Sequence, residues 1–232
     1  MSAAQAFALT CLLGAVGSAA GADGLPDDCT HYLTVQSRSC FMTQHYTCAG
    51  SPGDLWDLNY DAAGPYSLTR TDAETHWVST QSLTGDYGSQ TLPSPADPIS
   101  LSNLLATSFD TYDFEERLSS GQIARFRGFD RLTGETVVID GEPLLLTAFE
   151  FRMTDAETGT EYSVVSGQQY VSERHRMFFS GVTNVRNGSG ETTDLGAPVA
   201  FLYPGQAGFL STTPIHDCEG LMSALPLSGD HA

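Results

Sequence analysis

Val137-Val138-Ile139-Asp140-Gly141-Glu142-Pro143-Leu144-Leu145-Leu146 sets two apolar runs around an Asp-Gly turn signal, and Phe149-Glu150-Phe151-Arg152-Met153 follows almost at once. In the second stretch, apolar and charged residues alternate with a period of two. Phe149, Phe151 and Met153 therefore fall on one face and Glu150 and Arg152 on the other, as in a half-buried strand. Outward from this point the pattern repeats. Arg131-Leu132-Thr133-Gly134-Glu135 and Asp155-Ala156-Glu157-Thr158-Gly159 read as further hairpin turns, and Tyr162 to Val165 and Met177 to Val185 read as strands.

Towards the N-terminus, the segments around Leu33 and Val35, Cys40 to Cys48, Leu55 to Tyr60, Tyr66 to Thr69 and His76 to Ser79 are short and strand-like. Towards the C-terminus, Val199 to Tyr203 continues the series beyond the polar stretch Asn187 to Gly190. Ser100 to Leu105 suits one short helix capped by Ser100 or Ser102. Thr-Asp-Ala-Glu-Thr occurs twice, at 71–75 and 154–158, between strand-like segments, and reads as two similar turns. The fold class implied is mainly β: an antiparallel meander forming a curved sheet, barrel or half-barrel with one or two short helices. A β-sandwich is the alternative.

Length and composition fit one such domain. The chain has 232 residues with 23 Gly and 11 Pro, which favour many turns over long helices. Residues 1–22 carry no charged side chain. They contain a mainly apolar run from Ala6 to Val16, then small residues with Ala20 and Ala22 ahead of Asp23. This is a signal peptide in outline, although no Lys or Arg follows Met1, and the run is too short to span a bilayer. Residues 23–232 then form a single β-rich domain. It includes a Pro/Gly-rich loop at 84–98, the candidate lid, and lacks a transmembrane segment. A periplasmic or secreted location follows.

Asp plus Glu total 28 against 10 basic residues, all of them Arg, for a formal net charge of -18. Such a chain repels phosphate backbones, so nucleic acid is excluded as a partner. Cys29, Cys40, Cys48 and Cys218 remain after the leader, and an even count in an exported chain implies two disulfides. Three pairings are open. The expected one joins Cys40 to Cys48 locally and Cys29 to Cys218 across the chain. The rival is a thiolate–imidazole metal site using His31, His45 and His216 beside three of these cysteines. No finger-like spacing supports it, so the expectation is no metal.

There is no nucleophile elbow, phosphate loop, zinc helix motif or dinucleotide fingerprint, so no cofactor is implied. Candidate ligand-binding residues are the basic group Arg174-His175-Arg176, with Arg152 on a neighbouring strand, and the inward aromatics Phe149, Phe151 and Phe178. Arginine forks suit a carboxylate or phosphate. The plainer account pairs them with the abundant carboxylates. Arg125 and Arg127 fall opposite Phe126, the pattern of an edge strand guarded by charge. His216-Asp217 is a weak candidate for a general base, because neighbours in a strand point to opposite faces. The function class favoured is an exported binding or carrier protein whose partner is a small molecule or an envelope protein. A hydrolase using His175 or His216 and a non-catalytic envelope protein are the alternatives.

Overall fold

A computed structural model describes residues 24–85 and 87–219. The expected leader, with Cys11, lies outside these residues. The chain runs β1 (Cys29–Ser37), β2 (Phe41–Cys48), β3 (Leu55–Asp61), β4 (Gly64–Thr71), β5 (Trp77–Ser82), β6 (Gly88–Thr91), α1 (Leu101–Thr107), β7 (Phe109–Leu118), β8 (Ile123–Ile139), β9 (Glu142–Asp155), β10 (Glu161–Ser172), β11 (Met177–Asn187), β12 (Gly190–Leu195) and β13 (Pro198–Leu202). The strands form one antiparallel sheet in the order β12 to β1, with β13 added beside β1. It is a meander that is not closed. No helix among the described residues is long and apolar enough to cross a membrane.

Local chemistry explains the hairpins. Asp140 and Gly141 both adopt positive φ, 49° and 81°, which is what a two-residue turn between twisted antiparallel strands demands, and Ile139 pairs with Glu142 across it. The two Thr-Asp-Ala-Glu-Thr segments are indeed similar turns. Asp72 Oδ1 accepts from the Glu74 and His76 amides, and Asp155 Oδ1 accepts from those of Glu157 and Thr158. Helix α1 starts at Ser100, whose hydroxyl accepts from the Asn103 amide, and it ends at Ser108 in the left-handed conformation.

The sheet curls until its edges meet within one stretch of chain. Leu195 pairs with Val182 on β11, and the Gly196 amide extends that pairing to Gly181 O at 2.8 Å. The next carbonyl, of Ala197, accepts from the Arg38 amide at 2.9 Å, and Pro198 then pairs with Ser37 on β1. Two residues thus carry the chain from one edge to the other. Pro198, lacking an N–H, sits at the first residue of an edge strand, where that loss is tolerated. The curl packs Leu33 and Val35 of β1 against Leu144 of β9, Met177 and Phe179 of β11 and Phe201 of β13.

The outer face of β1 and β2 carries polar residues that are nonetheless buried: Thr34, Gln36 and Gln44. A strap formed by the chain after β13 covers them and supplies their partners. Thr34 Oγ1 donates to Phe209 O, Gln44 Nε2 to Ser211 O at 2.7 Å and Gln36 Nε2 to Thr213 O at 3.1 Å, while Gln36 Oε1 accepts from the Ile215 amide at 3.1 Å. Each buried polar group is thereby satisfied. The strap ends at the disulfide Cys40–Cys218.

Several expectations are corrected by this arrangement. The disulfides are Cys29–Cys48 and Cys40–Cys218. Cys40 and Cys48 flank β2, so eight residues at about 3.3 Å each hold them roughly 26 Å apart. The register of β1 on β2 instead sets Cys29 directly opposite Cys48. The stretch Arg131 to Glu135 is not a turn but a register shift inside the long strand β8. Arg125 and Arg127 do alternate with Phe126, yet β8 lies between β7 and β9 rather than at an edge. The loop at 84–98 contains β6. Strand β12 escaped notice because all six of its residues are exposed, leaving no apolar alternation to read.

Candidate binding cavity

Three cavities of about 340, 120 and 70 Å³ share Phe178 of β11 in their walls. The largest lies over β3 to β5, between Leu55, Asp57, Thr69, Thr71, Trp77 and Met177. The second is lined by Thr43, His45, Asp57 and Asn59. The smallest is lined by Trp77, Tyr112, Asp130, Phe149, Phe151 and Gln169. Strand β11 reaches β2 to β5 only because the sheet curls. Alternation along β2 to β4 decides which residues meet it: Thr43, His45, Asp57 and Thr69 share one face through the pairs His45–Asp57 and Asp57–Thr69.

The most polar part of the wall is a histidine–carboxylate pair. His45 Nδ1 donates to Asp57 Oδ1 at 2.6 Å. The His45 side chain is 5% exposed and that of Asp57 is 27% exposed. Since a carboxylate can only accept, Nδ1 carries the proton in this bond. Nε2 is buried and has no hydrogen-bond partner among the described residues. The Tyr32 hydroxyl, on a ring centred 6.4 Å from that of His45, is in the same condition. Burial, reinforced by Asp57, pushes the Tyr32 phenol above its ordinary range, so it stays a neutral donor. Unpartnered polar atoms in a dry interior are costly.

A second polar feature borders the smallest cavity. Asp110 and Asp130 face each other across β7 and β8, and both are buried. Asp110 is held by the Ser100 amide and the Asn103 side chain, both at 2.8 Å. Burial first, and the neighbouring Asp110 second, push Asp130 up to about 7.

The sequence-derived site divides in two. Phe149, Phe151 and Phe178 do come together, in the walls of one cavity. The arginines do not join them. Arg152 pairs with Glu161 at 2.9 Å on the outer face. Arg174 pairs with the buried Glu142 and lies over the Tyr203 ring. His175 bonds the Tyr203 hydroxyl at 3.0 Å and lies 3.6 Å from Glu142, and burial holds its ring below the usual imidazole range. Arg176 turns away to Glu74 and Ser102 of the helix start. Arg174 and His175 thus share one cluster with Glu142 and Tyr203, Arg176 goes to another, and none lines the three cavities.

The remaining candidates also take structural places. Arg125 and Arg127 both clamp Asp113 at 2.7 Å. Asp217 pairs with Arg38, and the His216 carbonyl accepts from the Cys40 amide. All four cysteine sulfurs are in disulfides, so none is a thiolate available to a metal. Residues 92–96 of the loop at 84–98, the expected lid, border a separate cavity beside Asp113, Glu115 and Arg125. Sequence reasoning missed Asp57 and weighed His45 only as a metal ligand beside Cys48. The signal was present, since each sits in an alternating strand on the face opposite large apolar residues. Comparison with family models, curated proteins and solved structures returned no match for this chain.

Proposed function

We propose that this protein binds and carries a small organic molecule in the cavities around Phe178. The observation that carries the reading is the meeting of three cavities at one side chain. Aromatic and aliphatic walls there surround a few convergent polar groups, the composition expected of a small-molecule site. The hydrolase alternative lacks support: Nε2 of His45 contacts no hydroxyl it could activate, and His175 is committed to Tyr203 and Glu142. Export to the periplasm or beyond accompanies the proposal. The two disulfides fit an oxidising compartment, and the leader-like start of the sequence points the same way.

Fluorescence titration with the neutral apolar dye N-phenyl-1-naphthylamine tests it. Saturable binding to wild type, weakened at least about fivefold by Phe178→Ala because a central packing face is lost, is expected. A wild-type protein that leaves the dye dark overturns the carrier reading.

A further inference from the structure

We infer that the molecule held around Phe178 carries a protonated amine on an apolar body, with Asp57 as the anchor for the ammonium group. This rests on the binding reading above and adds to it the charge and chemistry of the ligand.

The carboxyl and guanidinium side chains in the walls are those of Asp57, Asp130 and Arg70. Arg70 is already neutralised. Its Nε donates to Asp54 at 2.6 Å, and its guanidinium lies 5.2 Å from the centre of the Trp56 ring. Asp57 has no arginine partner. Its one charged-group contact is His45, whose Nδ1 donates to it at 2.6 Å. Asp57 thus gives the largest cavity a carboxylate that no arginine neutralises. The arginine cluster that suggested an anionic ligand lies elsewhere, so the sign expected from the sequence is reversed.

Three ligand chemistries can be weighed against this wall. A carboxylate or phosphate would be buried beside Asp57 without a counter-charge, which is strongly unfavourable. A neutral alcohol would satisfy one acceptor. An ammonium has three donors, enough for Asp57 and for threonine hydroxyls such as those of Thr69 and Thr71. Its apolar body would lie among Trp77, Met177 and Phe178, and aromatic rings next to a cation add attraction. The net charge of -18 also draws cations towards the protein.

The test uses three probes of nearly the same shape: 2-phenylethylammonium, 2-phenylethanol and 3-phenylpropionate. Each displaces the naphthylamine dye from the oxidised protein. The ammonium is expected to bind roughly tenfold or more tighter than the alcohol, with the carboxylate weakest, as a charge-assisted bond implies. Asp57→Asn keeps an acceptor for His45 and is expected to bring ammonium and alcohol within about threefold of each other while the dye still binds. An alcohol or carboxylate that matches the ammonium on wild type overturns the inference. So does an Asp57→Asn protein that keeps the ammonium preference. If the variant fails to fold, the wild-type ranking decides alone. If the dye binds and no probe displaces it, the amine inference fails while the cavity reading stands. If the dye does not bind either, both fail.

Discussion

His45 and Asp57 stand directly opposite each other on β2 and β3, joined by a 2.6 Å bond from Nδ1 to Oδ1. The bond supplies the only hydrogen-bond partner of a ring that is otherwise sealed, since Nε2 has none among the described residues. Asp57→Ala would leave a buried N–H unpaired and is expected to cost about 1–3 kcal/mol. Asp57→Asn, which retains an acceptor, is expected to cost less. Urea denaturation of both variants measures this, and equal stability of wild type and the alanine variant would contradict it.

Asp130 gives a pH dependence with a definite sign. Its folded-state value, about 7, lies above the ordinary 3.8 because of burial and Asp110. The folded state therefore holds the proton where the unfolded chain has released it. Its contribution to stability is greatest below about pH 4, falls as pH rises towards 7 and levels off above that. Asp130→Asn keeps the size and removes the titration. The variant is expected to gain on wild type steadily from pH 4 to 7, read from denaturation midpoints at each pH. A constant difference across that range would rule the assignment out.

Gly128 sits where two aromatic rings converge. A Cβ there would lie 2.5 Å from that of Phe151 and 2.8 Å from Cε2 of Tyr112. Both neighbours are packed in the same cluster as Phe114 and Phe126, and a backbone carbonyl crowds the site as well. Gly128→Ala is expected to cost about 1–3 kcal/mol or more through overpacking. Differential scanning calorimetry should show a lowered midpoint, whereas Gly141→Ala, in an open turn, acts only through its φ of 81°.

The two disulfides should differ in worth. Cys40–Cys218 spans 178 residues and Cys29–Cys48 spans 19. In the chain-entropy account these closures contribute on the order of 5 and 3 kcal/mol. Replacing Cys40 and Cys218 together by Ala should therefore be the more damaging change. It should also open the strap first, because the other strap contacts are hydrogen bonds, the Phe209–His31 ring stack and the exposed Arg38–Asp217 pair, none of them covalent. Limited proteolysis is expected to cut within 204–217 in that variant and not in one lacking Cys29 and Cys48. Identical cleavage of the two would show that the disulfide does not hold the strap.

The sequence by itself determined the mainly β class, most of the strands, the single short helix with its serine cap, and the inward set Phe149, Phe151 and Phe178. These are written locally. A period of two sorts a strand into faces, Asp-Gly supplies the positive φ of a hairpin, and a serine caps its own helix. Only the tertiary structure decided which cysteines pair, which edge strand meets which, and that the arginines disperse while His45 and Asp57 come to line the cavity. Those outcomes depend on register and on curvature summed over thirteen strands. Residues as distant as Gln36 and Thr213, separated by 177 positions, meet only through that sum, and no local pattern in the chain records where a twisted sheet will return upon itself.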